Sequence, residues 1–387
     1  MPQLTLASRI TLIGLFSLAL AVGIGRFAFT PLLPMMRADG LIDITGGGWL
    51  ASAHFLGYLI GALSAAVVPC PPRLLLRIAL VAIGIGTLGM GLTANYFVWL
   101  ALRFFAGVFS AWVLVLVSSH YVRRLAAMDR AGLQGCVFAG VGAGIAIAGL
   151  ACLAFMSVNT SSAESWRILG IAGLAIIGAI CLSISSEVPA SRPIRPQRCA
   201  GRTPLDWSIV IAYGAMGFGY VIPATYLPVM AREIVPDPLI FGWSWPVFGA
   251  AAFVSTIAAV AFQNRCTNRR VWSVSQLMMA AGLVFPVLYP HILTITAAGL
   301  CVGGTFMIIT MTGIREAHRI STPDDVIRHI AAMTASFALG QMIGPAFAST
   351  LHEMTRSFVA PMVIASAVMV VTVLPLLRAE RHKRLID

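Results

Sequence analysis

Residues Gly23–Met36 read GIGRFAFTPLLPMM, and 194 positions further on Gly217–Met230 read GFGYVIPATYLPVM. Gly23, Gly25, Leu33, Pro34 and Met36 meet Gly217, Gly219, Leu227, Pro228 and Met230 without a gap, and the same shift carries Gly48-Trp49 onto Gly242-Trp243. At a shift of 200, GVGAGI (Gly140–Ile145) meets GQMIGP (Gly340–Pro345), so that glycines four apart coincide. The chain reads as two copies of one unit in the same orientation, the plan of molecules that rock two halves about a central site. The first copy alone carries an arginine, Arg26, in the middle of an apolar run, with no acidic residue nearby.

Around this repeat the composition is 59% hydrophobic and 10% charged, whereas soluble domains run near half apolar and a quarter charged. There are too few polar side chains to cover a soluble surface, so the chain is integral to a membrane. The net charge of +12 comes from arginines in the short breaks between apolar runs. No basic module with interleaved aromatics exists, so nucleic acid is excluded as a partner. The seven cysteines form no CxxC and no Cys/His cluster, so neither a metal site nor a cofactor is expected. The first apolar run outlasts a signal-peptide core and lacks a cleavage site, and reads as a retained span.

A helix needs about 20 apolar residues to cross the hydrocarbon, and twelve runs qualify, near 10–36, 47–68, 74–94, 97–120, 133–156, 166–186, 207–230, 241–263, 271–289, 291–314, 330–350 and 358–377. The fold class is all-α, and the alternating strands of a membrane barrel are missing. The Pro- and Arg-rich break at 187–206 divides a six-helix bundle at 1–186 from a second at 207–387. An even number of spans puts both termini on one side. That side carries 20 of the 26 basic residues and the opposite side four, so both termini are expected in the cytoplasm. The expected location is the bacterial inner membrane, with the chain a monomer in the bilayer.

These features resemble the major facilitator superfamily across nearly the whole chain. LRFFAGVFSA (Leu102–Ala111) is similar to the Arg-x-x-x-Gly pattern of that superfamily's fourth helix, and GQMIGP to its Gly-x-x-x-Gly-Pro motif. GIGRFAFTPLLPMM is similar to the opening signature of the bacterial YbfB/YjiJ-type transporters. The resemblance implies a secondary transporter, not an enzyme, with spans one and four lining a cavity for a small molecule. The superfamily's acidic-basic motif between helices two and three is reduced to VVPCPPRLLLR (Val67–Arg77), without its aspartate, and QNRCTNRR (Gln263–Arg270) is a loose echo in the second half.

At about 1.5 Å per residue, Arg26, Arg103 and His54 fall into one layer near mid-membrane, in spans one, four and two. A buried arginine there is costly and by default functional. No Asp or Glu is expected inside the spans, Glu316 being placed at an edge. Arg26 or Arg103 can then be completed by an anionic substrate, because guanidinium binds carboxylate through two donors. The alternative is structural, with Arg26 donating to carbonyls freed by Pro31 and Pro34. For Arg103 the resemblance adds a role in conformational coupling. His54 is the only central group titrating near neutrality, or else an interhelical hydrogen-bonding residue. Tyr220, aligned with Arg26, is a further substrate-binding candidate. Tyr226, Gln341 and Thr305 are weaker ones, equally read as interhelical hydrogen-bonding groups.

A small organic anion bound near Arg26 is the favoured cargo. Efflux of amphipathic or neutral compounds, with structural arginines, and a non-transporting membrane sensor stay open. GVGAG, inside an apolar run with no strand before it, is not a dinucleotide loop. The Gly-x-x-x-Gly pairs at Gly57/Gly61, Gly140/Gly144 and Gly340/Gly344 are close-packing surfaces.

Overall fold

The computed structural model describes residues 2–65, 68, 70–184, 204–262, 266–321 and 325–384. Among them there is no strand. The helices are α1 (Pro2–Leu18), α2 (Phe29–Ala38), α3 (Ile44–Ser64), α4 (Pro72–Met90), α5 (Tyr96–Leu116), α6 (Arg123–Ala127), α7 (Gln134–Ser157) and α8 (Ser162–Ile184), then α9 (Trp207–Ile234), α10 (Pro238–Phe241), α11 (Ser244–Phe262), α12 (Asn268–Leu288), α13 (Ile292–Ile320), α14 (Val326–Thr355) and α15 (Val359–Arg384). Most of the expected linker, and Cys199 within it, lies outside the described residues.

Eleven helical stretches among the described residues are long and apolar enough to cross a membrane. The run expected at 47–68 forms α3, 21 residues long, but is not one of the eleven. Gly46, Gly47, Gly48, Ser52 and His54 dilute its hydropathy, and half of its residues are buried against other helices. Its other face is apolar and exposed at Trp49, Leu56, Ile60 and Leu63.

Helix packing repeats between the two copies. α3 lies on α5 as α11 lies on α13, α4 on α8 as α12 on α15, and α7 on the first span as α14 on α9. Across the copies α3 meets α14 and α7 meets α11. Glycine sets the closest approaches. A Cβ at Gly140 would strike the Leu15 carbonyl, and one at Gly340 the Gly214 carbonyl, so the two aligned motifs do the same work in each copy. Similarly, Gly107 of α5 abuts the His54 carbonyl and Gly303 of α13 the Phe248 carbonyl, which aligns His54 with Phe248.

The first span is broken where its sequence is weakest. Ala19–Ile24 forms a π-helical turn, with Gly25 N donating to Leu20 O at 2.7 Å and Phe27 N to Val22 O at 3.2 Å. Two glycines lower helix propensity there. Thr30 N turns to Phe27 O, leaving the Arg26 carbonyl without its usual donor four residues on. The aligned helix α9 runs unbroken through Pro223 and Pro228. Pro228 has no N–H for Ala224 O, and Thr30 Oγ1 of α2 donates to that carbonyl at 2.6 Å.

Thr30 and Ala224 are 194 residues apart, as are Arg26 and Tyr220, which also hydrogen-bond. Equivalent positions of two copies can touch only beside the axis that relates them. The pseudo-two-fold axis therefore passes between the first span and α9.

Candidate functional site

Arg26 stands at that axis, 5% exposed. Its Nη2 donates to the Tyr220 hydroxyl. The guanidinium lies 4.6 Å from the ring centre of Phe27, 4.8 Å from Phe55 and 5.2 Å from Tyr58, so aromatic faces replace a counter-ion. Gln341 Nε2 of α14 donates to the same Tyr220 oxygen. The Tyr220 ring is clamped between Phe306 and Phe337, at 5.5 and 5.7 Å and nearly parallel to both. Three sequence candidates, Arg26, Tyr220 and Gln341, thus meet in one buried cluster.

The cluster has hydrogen-bonding capacity to spare. Arg26 Nε and Gln341 Oε1 are buried without a partner. With two donors already on its oxygen, Tyr220 keeps its own O–H to give. The cluster thus holds two unspent donors, Arg26 Nε and the Tyr220 O–H, and one unspent acceptor, Gln341 Oε1, in an aromatic surround.

Arg103 lies in the same layer with a different occupation. Its Nη1 and Nη2 donate to the Gly25 and Arg26 carbonyls, both at 3.2 Å, and its guanidinium rests 4.6 Å from the Phe29 ring. These carbonyls lie at the break in the first span. Donation to freed backbone, considered above for Arg26, belongs to Arg103, and Pro31 and Pro34 are not the source. Spacing along one helix could not reveal a partner supplied by another.

His54 is fully buried, and both ring nitrogens lack a partner. Its ring stands edge-on to Phe55 at 5.6 Å. Tyr226 belongs elsewhere: its hydroxyl donates to Pro345 O at 2.9 Å, beside Gly48 of α3, and does not join Tyr220. Thr305 Oγ1 donates to Cys301 O at 2.6 Å, within its own helix. In the second copy Tyr220, Phe248 and Gly299 occupy the positions of Arg26, His54 and Arg103, the last by the 196-residue offset of Gly107 and Gly303. The layer is basic in one copy and aromatic or small in the other.

Ionic contacts bracket this layer. At the end away from the termini, Arg37 lies 3.7 Å from Glu233, His352 4.0 Å from Glu233, and Thr45 Oγ1 donates to Glu353 at 2.9 Å. Arg232 reaches the Pro34 carbonyl. At the end with the termini, Arg269 pairs with Asp206 and with Glu316, the latter at 2.6 Å, and Arg319 joins Glu316 at 2.7 Å. Glu316, expected at a span edge, lies near the end of α13, which continues beyond the expected end at 314 to Ile320, and it is fully buried. It is ten residues past Phe306, about 15 Å along the helix, and does not serve Arg26. QNRCTNRR was the available signal, since its Arg269 holds the knot. Among the described residues no group of His, Cys, Asp and Glu could hold a metal ion.

The family model described as "Uncharacterised MFS-type transporter YbfB" matches residues 18–377. Among solved structures, a D-xylose-proton symporter superposes with a TM-score of 0.76 at 13% identity, covering 95% of this chain and 96% of that one. A nucleoside transporter, NupG, gives 0.74 at 13% identity, over 96% and 99%. A bacterial homologue of the human lysosomal transporter Spinster, inward-facing and occupied, gives 0.68 at 14% identity, over 97% and 95%. At these identities the likeness is one of fold.

Proposed function

The chain belongs to the YbfB-type family of the major facilitator superfamily of transporters, and from that membership we propose a secondary active transporter that moves a small organic anion by alternating access. The halves that rock are the bundles 1–186 and 207–387, joined by the linker 187–206, with α3 completing twelve spans. Both termini face the cytoplasm of a bacterial inner membrane, in keeping with the distribution of basic residues.

One observation carries the anion reading. The Arg26–Tyr220–Gln341 cluster is buried at the contact of the two halves with unused donors, and no ion pair to Arg26 is found among the described residues. A guanidinium buried without a carboxylate favours a ligand that brings one. Arg103, with its Nη groups on backbone carbonyls, positions the broken span, and its Nε, buried without a partner like that of Arg26, is a second donor in the layer.

The test uses benzoate as probe. Purified protein should gain thermal stability with benzoate, Arg26→Ala should lose that gain, and Arg26→Lys should keep little of it, because a point charge lacks the planar fork. An unchanged benzoate response in Arg26→Ala sinks the anion role. The second reading, carriage of neutral aromatic compounds, draws on the rings of Phe27, Phe55 and Tyr58 that already face Arg26. It expects stabilisation by benzyl alcohol that does not depend on Arg26.

A further inference from the structure

A cleft of about 670 Å³ opens sideways between α3 and α14, walled by Trp49, Ser52, Leu56, Leu100, Met342 and Phe347 among others. Its rim carries large exposed apolar groups, with Trp49 and Ile343 each 52% exposed and Met354 77%, which is the surface expected toward lipid. The cleft and the Arg26 cluster lie on the same turns of the same two helices. On α3, Phe55 follows Ser52 by three positions and precedes Leu56, and its ring faces the Arg26 guanidinium at 4.8 Å. On α14, Met342 of the cleft directly follows Gln341, which donates to Tyr220.

One wall residue departs from its apolar neighbours. Ser52 is 5% exposed and its hydroxyl has no hydrogen-bond partner. Several buried hydroxyls in these helices satisfy themselves on the carbonyl four residues back, as Thr87 and Thr225 do at 2.8 Å, whereas Ser52, like Ser17 and Ser273, does not. An unpaired buried hydroxyl is costly. Here it leaves an unspent donor in the wall of an otherwise apolar cleft.

We propose that this cleft takes the aliphatic chain of an amphipathic carboxylate whose head binds at Arg26, the molecule entering sideways from the bilayer between α3 and α14. This rests on the anion reading above and narrows the cargo to anions with a long apolar tail. A chain in the cleft exchanges lipid contact for contact with Leu56, Leu100 and Phe347 at little cost. Affinity and selection therefore come from the head at Arg26.

The experiment labels full-length protein in phosphatidylcholine nanodiscs with decanoate carrying a diazirine at its ω end. Saturable adducts should map to α3 and α14 around the cleft, and unlabelled decanoate should compete where decanol does not. Arg26→Ala should lower saturable labelling by about tenfold or more, the loss of a hydrogen bond to a charged group. Ala346→Trp fills the cleft with Arg26 in place, and should abolish labelling while leaving the benzoate response intact. That second variant guards against misfolding in the first. Labelling that does not saturate, or that decanol displaces equally, means the cleft holds ordinary lipid chains, and overturns the inference. Saturable labelling untouched by Arg26→Ala also overturns it, because head and tail would not share one site. The benzoate response separates either failure from failure of the anion reading.

Discussion

Two arginines of one layer show how little residue type says about role. Arg103 spends two donors on carbonyls of another helix, whereas Arg26 spends one on a hydroxyl and faces three rings. Arg103→Ala strands the Gly25 and Arg26 carbonyls in an apolar interior. We expect a loss of about 2–3 kcal/mol, read as a clear drop in melting temperature with or without probe. Arg26→Lys should leave the melting temperature of the free protein nearly unchanged while blunting its benzoate response. The sequence showed both arginines and their missing carboxylates. It could not show which one caps the broken span, because that depends on how α5 is rotated against the first span.

At the scale of helices, packing is governed by backbone approach. A Cβ at Gly57 would meet the Phe104 carbonyl, and one at Gly107 the His54 carbonyl. Neither neighbour is a side chain that can swing aside. Gly107→Ala should push α5 from α3 and cost about 1–3 kcal/mol. Gly86, in the interior of α4 with nothing within 4 Å of its would-be Cβ, supplies the opposite case. Gly86→Ala should be neutral or stabilising by up to about 1 kcal/mol, from helix propensity. Thermal unfolding of the two variants side by side checks both signs. Gly-x-x-x-Gly spacing revealed that close packing existed, and the shift of 200 revealed that it recurred. The π-helical turn at Ala19–Ile24 had only glycine as a sign, and the extension of α13 to Ile320 was hidden by its charged residues. Such residues read as a span end unless their partners are known. Arg269 and Asp206, which make Glu316 tolerable inside α13, sit far away in sequence.

For the whole molecule, the Asp206–Arg269–Glu316 knot ties the start of α9 to α12 and α13. Burial pushes the Asp206 carboxyl up, but the Ser208 hydroxyl and the Arg269 guanidinium outweigh it and hold the group below its ordinary value. A carboxyl held low contributes stability above its unfolded value, near about 3.9, and loses it as pH falls through the lower folded value. Stability should therefore be insensitive to this group at neutral pH and decline below about pH 4. Asp206→Asn should flatten that acid limb in a melting-temperature series. Topology has its own check. Cys266 is exposed at the end bearing the termini, so an impermeant maleimide should label it in inside-out vesicles and spare it in intact cells. The contact between positions 194 apart has a mechanical corollary. When two bodies tilt against each other, displacement grows with the lever arm from the fulcrum. Arg26–Tyr220, on the symmetry axis at mid-height, has almost no lever arm. Arg37–Glu233 and Thr45–Glu353, toward one end, have a long one. The same tilt that parts the outer pairs leaves the inner pair nearly still, so such a motion would uncover the Arg26–Tyr220 cluster without dismantling it.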